Sequence, residues 1–264
     1  MPDPLDAYRR DGWTVFPPDP ALARWARACA PLAREMLGDP ALARWYRCDR
    51  TWFAGVNALP NDACGAIPGR VPPLAGAAVE FARGTLAPGP FAWDRGQVSI
   101  VFPGYPRHGA EDTAASHRYR RDRCAAHVDG LERTMPGRRR RLSETHSFLL
   151  GIPLGKASEE EGAFVVWRGS HEIVRDALSA ALAPHDPARW FEIDVTEAYV
   201  AARRRCFEDC EPVRLAPGLG AAYLMHPLAL HGVAPWEAEA GEPRTVVYFR
   251  PDTFGGDPAR WLNA

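Results

Sequence analysis

In the stretch CAAHVDGLERTMPGRRRRL (residues 124–142), His127 and Asp129 stand two positions apart, an imidazole and a carboxylate that an extended chain directs to the same side. With 8 histidines and 33 acidic residues in 264, an acid two places after a histidine arises about once by chance, yet none of the other seven histidines is followed by an acid at that spacing. Gly130 follows, and a glycine lets the backbone leave a strand sharply. Two ligands do not hold a catalytic metal. A third is available downstream in YLMHPLALHGVAPWEAEAGEPRTVVYF, where His226 and His231 are both candidates and Arg244 opens a β-type run. Two histidines and one carboxylate on one face of an octahedron leave positions open for a co-substrate and for oxygen, the pattern of a non-haem iron(II) oxygenase. The planar fork of an arginine suits the far carboxylate of a dicarboxylic co-substrate.

Such a site needs a rigid frame, and the chain changes character once along its length. Residues 19–47 and 72–86 are rich in alanine, leucine and arginine, with Asp-Pro pairs at 19 and 39 that suit helix starts. From about residue 91 short apolar runs take over: QVSIVF (97–102), THSFLLGIPL (145–154), GAFVVW (162–167), PVRL (212–215), GAAYLM (220–225) and RTVVYFR (244–250). Turn residues separate them, as in a sandwich or barrel. We expect one domain over residues 1–264, mainly β with flanking helices: a helical part at about 1–90, a jelly-roll core at about 91–254, and a helical insert at about 173–207.

Composition narrows the function classes. A chain with 46% hydrophobic and 25% charged residues folds around a large core, and its net charge of −1 disfavours a nucleic-acid surface. No run approaches the roughly 20 apolar residues of a membrane span, and the acidic, proline-rich start does not resemble a signal peptide, so a cytoplasmic location is expected. Cys206 and Cys210 in CFEDC have no second thiol pair nearby to complete a zinc site and read as ordinary helix thiols. Between 118 and 141, nine arginines face three acids. Most charge runs are solvated surface. If the loops beside the His127–Asp129 pair form the mouth of the barrel, however, Arg120 and Arg121 draw an anionic small-molecule substrate toward it.

Taken together, these motifs resemble the phytanoyl-CoA dioxygenase family of iron(II)- and 2-oxoglutarate-dependent oxygenases, and the resemblance spans most of the chain. DAYRRDGWTVFP is similar to the family's opening helix and first strand, HVDGL to its histidine-x-aspartate motif, EEGAFVVWRGSHE to its strand and Gly-Ser/Thr-His turn, and HPLALHGVAP with Arg244 to its distal histidine and arginine. The resemblance implies a double-stranded β-helix (cupin-like) core. It makes His127, Asp129 and His231 the iron ligands, and Arg244 the partner of the 2-oxoglutarate C5 carboxylate. It implies Fe(II), 2-oxoglutarate and O2 as cofactors, and hydroxylation of an aliphatic C–H with release of succinate and CO2. Retention of Asp129 favours hydroxylation over halogenation. His231 is preferred to His226 because Gly232 follows it and Arg244 lies thirteen residues on; His226 and His171 then read as structural. The family commonly has a serine two places after the distal histidine where this chain has Val233, so another group must assist Arg244. Two rival readings are a non-catalytic β-helix binding protein, and a cupin-type metalloenzyme without 2-oxoglutarate that recruits His146.

Overall fold

The computed structural model describes residues 3–134 and 138–264; Met135–Gly137, inside the arginine-rich stretch, lie outside the described residues. Among the described residues twelve strands form two facing antiparallel sheets and a ribbon. The larger sheet runs β1 (Trp13–Phe16), β10 (Ala222–Met225), β7 (Leu149–Pro153), β12 (Arg244–Phe249), β4 (Gln97–Val101), β3 (Trp52–Gly55) and β2 (Tyr46–Arg47). The smaller sheet runs β11 (His231–Val233), β8 (Phe164–Trp167) and β9 (Pro212–Leu215), and an isolated bridge between His127 and His231 extends it by one residue pair. β5 (Leu131–Thr134) and β6 (Arg139–Leu142) make the ribbon. This is the expected jelly-roll, double-stranded β-helix core with flanking helices.

Both sheets are covered on both faces, which is why their strands read as continuous apolar runs rather than alternating ones. Side chains from alternate positions meet between the sheets: Leu149, Phe164, Val166, Tyr223, Met225, Val246 and Tyr248 form the inner core. The intervening positions point outward. Leu150, Ile152, Val247 and Phe249 pack under helix α2 (Pro20–Glu35), with Leu22, Trp25 and Cys29 buried at the contact. Val165 and Trp167 pack under α5 (Ser170–Leu182) and α6 (Thr196–Asp209). Asp19 caps α2 by accepting from the Ala21 and Leu22 amides, with Pro20 at the first helical position.

Two expectations about the N-terminal part change. Apart from the opening strand, residues 1–90 are expected to be helical, yet besides β1 they supply β2 and β3 to the larger sheet; β1 pairs with β10 from Trp13↔Met225 to Phe16↔Ala222. These strands are only two to four residues long, too short to show a period in the sequence. The helix expected at 72–86 is confined to α3 (Ala77–Phe81) and a following wide turn at Ala82–Leu86, because Gly76, at φ +115°, lies outside the helical region and the helix can begin only after it. The expected insert at 173–207 is α5, a short 3₁₀ segment (Pro187–Glu192) and α6. Among the described residues no helix is long and apolar enough to cross a membrane.

Candidate metal centre

His127 and His231 face each other across the bridge and exchange both backbone hydrogen bonds, His127 N to His231 O at 2.8 Å and the reverse at 3.0 Å. Their ring centroids are therefore only 4.5 Å apart. The approach to His127 is shaped by Cys124 and Ala125, both at φ 52°, after helix α4 (Ala114–Arg123). Tyr119 donates to the Ala126 carbonyl at 2.6 Å, and Val128 N donates to the Tyr199 hydroxyl at 3.3 Å, so the segment is held on both sides. Gly130, at φ +80°, turns the chain away as expected; a side chain there would meet the Glu144 carbonyl at 2.5 Å.

Each imidazole is oriented the same way. Nδ1 of His127 donates to the Ala125 carbonyl, and Nδ1 of His231 to the Ala229 carbonyl, both at 3.0 Å, which leaves the two Nε2 lone pairs free. Asp129 Oδ1 lies 3.1 Å from His127 Nε2, and Oδ2 lies 3.7 Å from His231 Nε2. Ligands at right angles around a first-row ion at about 2.1 Å stand about 3 Å from one another, so the spacing suits a facial triad. Among the described residues, this is the one group of three or more histidine, cysteine or acidic side chains whose ligand atoms converge. His231 is buried, its Phe164 neighbour stacked at 5.4 Å, while His127 is 43% exposed at its side chain and faces a cavity of about 310 Å³. Burial pushes the His231 pKa down to about 3, so the ring is neutral at physiological pH, as a metal ligand must be. Burial alone would raise the Asp129 carboxyl. The Arg250 guanidinium and the two imidazoles outweigh that and hold it well below the usual carboxylate range.

Arg250 is the residue that sequence reasoning passed over. It follows β12 directly, and its Nε donates to Asp129 Oδ2 at 2.6 Å while Nη1 donates to Gln97 Oε1 at 2.9 Å. The signal was present: positions 244, 246, 248 and 250 share one face of a strand, and that face is the inner one.

Arg244 occupies the opposite end of the same face. It is 3% exposed, does not line the cavity of the triad, and forms no ion pair among the described residues. Its Nη2 approaches the Tyr248 hydroxyl at 3.4 Å, Tyr223 donates to that hydroxyl at 3.0 Å, and Nη1 has no partner among the described residues. Two phenols, rather than a hydroxyl at position 233, are thus the polar groups beside the guanidinium. Room for Tyr223 comes from its cross-strand partner Gly151, where a Cβ would meet the phenol ring at 2.3 Å. A buried guanidinium with only phenols beside it is costly unless an anion joins it, and a carboxylate fits that donor set.

The remaining candidates are dispersed. Arg120 pairs with Asp112 and Arg121 with Asp122 on α4, and neither lines the cavity; Arg47 and Arg250 do. Arg139 and Arg140 are likewise engaged, with Asp194 and with the Leu131 carbonyl. His226 accepts from Leu228 N and contacts the Ala264 carbonyl at 2.8 Å, and His171 donates to the Arg9 carbonyl, both away from the triad. His146 is buried with its pKa pushed down to about 4, and does not join the cluster. Cys206 and Cys210 are free thiols on and just after α6.

No family model matches the chain, and no curated protein matches it. Among solved structures it is similar to the non-heme alpha ketoglutarate dependent carbocyclase SnoK from nogalamycin biosynthesis, at 14% identity and a TM-score of 0.50 over 95% of this chain and 83% of that one. It is also similar to EvdMO1, at 15% identity and a TM-score of 0.51 over 94% of this chain and 49% of that one. At these identities the likeness is one of fold.

Proposed function

We propose that the chain is a non-haem Fe(II)- and 2-oxoglutarate-dependent oxygenase that hydroxylates an aliphatic C–H of a small metabolite, as the phytanoyl-CoA dioxygenase resemblance implies. The observation that carries this reading is the convergence of His127, Asp129 and His231 with both Nε2 atoms free, at the mouth of a cavity. Those three side chains would hold the iron. When bound, iron with 2-oxoglutarate and O2 supplies the oxidising power, and the protein supplies placement. Arg244, with Tyr223 and Tyr248 beside it, takes the C5 carboxylate; its lack of a resident anion supports that role. Phe164, Leu149 and Tyr105 wall the cavity with apolar surface that excludes water and holds the target C–H near the metal.

The likeness to SnoK, a protein described as alpha ketoglutarate dependent, agrees with this reading. For the substrate, an anionic group is supported by Arg47 on the cavity wall rather than by Arg120 and Arg121, whose charges are already matched. Six cysteines without a disulfide suit a reducing, cytoplasmic setting. The test is anaerobic addition of Fe(II) and 2-oxoglutarate to the apoprotein, following the visible charge-transfer band of the chelate. Wild type should develop the band, His127→Ala should abolish it, and Arg244→Ala should require far more 2-oxoglutarate. Iron binding without any band would remove 2-oxoglutarate from the assignment and favour a cupin-type metalloenzyme.

A further inference from the structure

Asp129 differs from the two histidines in how it is held. Each imidazole is fixed by a backbone bridge and by a carbonyl on Nδ1, whereas a carboxylate turns about its last bond and can offer a metal one oxygen or two. Here Oδ2 is engaged at 2.6 Å by Arg250 Nε, a charge-assisted bond, while Oδ1 is the oxygen nearest His127 Nε2 at 3.1 Å. The guanidinium is itself braced. Gln97 Oε1 accepts from Nη1 at 2.9 Å, and the Arg250 amide donates to Asp94 Oδ1 at 2.8 Å. Asp94 thus holds the backbone, and Asp129 is the one carboxylate ion-paired with this guanidinium among the described residues. Side-chain exposures of 17% for Arg250 and 14% for Asp129 place the contact where water competes weakly.

We infer that Arg250 is a positioning residue for the metal centre: by occupying Oδ2 it makes Asp129 a one-oxygen ligand. This rests on the function proposed above and adds a requirement to it. A facial triad leaves three positions, two for a chelating co-substrate and one for oxygen, and a carboxylate that gave both oxygens would take one of them. Gln97 belongs to the same device, because it fixes the fork from which Nε reaches Asp129.

Charge and geometry predict opposite outcomes when Arg250 is removed. A cation beside a dication opposes binding, so if Arg250 acted by charge alone its loss would tighten the metal. If it positions Asp129, its loss weakens the metal by about 10–100-fold, as the loss of outer-shell partners does. The experiment titrates the full-length apoprotein with Ni(II) and records the visible spectrum of the Co(II) form for wild type, Arg250→Gln, Arg250→Lys and Gln97→Leu, with circular dichroism as the folding check. Arg250→Gln should bind Ni(II) about 10–100-fold more weakly, and its Co(II) bands should lose intensity as the coordination number rises. Lysine keeps the charge without the fork and should restore little of the affinity. Gln97→Leu, which keeps all charges and ligands, should show a smaller loss in the same direction and decides the matter if Arg250→Gln does not fold. Unchanged or tighter Ni(II) binding with an unchanged Co(II) spectrum, or full recovery in Arg250→Lys, overturns the inference while leaving the oxygenase reading intact. A folded wild type that takes up neither ion stoichiometrically removes the metal centre itself.

Discussion

Arg244 and Arg250 leave the same strand on the same face, about 20 Å apart along it, and their surroundings are opposite in kind. Arg250 meets a carboxylate at 2.6 Å and an amide oxygen at 2.9 Å. Arg244 meets two phenols, with Nη1 unpartnered among the described residues. Burying a charge is tolerated when a partner is built in, and the Arg250 end is complete without any visitor. The Arg244 end has no anion beside it among the described residues, and on the function proposed above that is the cost in stability of keeping a place for the co-substrate carboxylate.

The sharpest way to break this contrast is to remove each charge in turn from the metal-free protein and measure urea unfolding. Arg250→Met should destabilise by about 3–5 kcal/mol, since it strands Asp129, whereas Arg244→Met should leave stability unchanged or raise it by about 1–4 kcal/mol. Equal losses at both ends would mean that Arg244 is already satisfied. Next in size is the response to ligand. Metal-loaded wild type at one hundred times the dissociation constant of 2-oxoglutarate should gain about 2.7 kcal/mol, visible as a higher Tm, and Arg244→Gln should gain almost nothing at the same concentration. Tyr248→Phe tests the phenol at the needy end; losing its hydroxyl should weaken 2-oxoglutarate by about 1 kcal/mol, roughly fivefold, without altering metal affinity.

The smallest effect concerns the acid behind Arg250. Burial raises the Asp94 carboxyl to about 6 in the folded protein, above its unfolded value of 3.8. Its contribution is therefore complete below about pH 4 and is lost as pH rises through about 6. Asp94→Asn keeps the acceptor for the Arg250 amide, so it should flatten the stability profile between those values and raise Tm at pH 7.5 by about 2–4 °C. A profile no flatter than that of wild type would show that Asp94 stays ionised in the fold.

The contrast also explains what could be read from the sequence. His127, Asp129 and His231 were legible because metal chemistry demands particular residue types and a short spacing. The place of Arg244 at the start of a strand was legible, but its isolation from the cavity was not, since that depends on where the Tyr248 and Tyr223 rings fall. Arg250 went unread although it ends the run RTVVYFR in step with Arg244: with sheets buried on both faces, apolar and aromatic residues stand at both odd and even positions from Val246 to Phe249, and no alternation marks the inner side. The arginines of α4 and the ribbon follow the ordinary reading of a charge run as paired surface. Asp122 lies within the stretch, but Asp112 and Asp194, the partners of Arg120 and Arg139, lie outside it, so a count over the stretch alone overstates the free positive charge. The jelly-roll core came through because turn residues punctuate its strands, and β2 and β3 did not because strands of two to four residues carry too little pattern.

The bridge between His127 and His231 has a consequence for the cell rather than for catalysis. Because the backbone alone holds both rings at their working separation, losing the ion need not unravel the site, and reloading requires no refolding. A clamp already set accepts whatever suitable ion reaches it first. Nickel, cobalt, copper and zinc all bind such nitrogen and oxygen donors at least as firmly as ferrous iron, so on the function proposed above the metal supply around the protein would decide the occupant, and a surplus of the wrong metal would silence the oxygenase while leaving it folded.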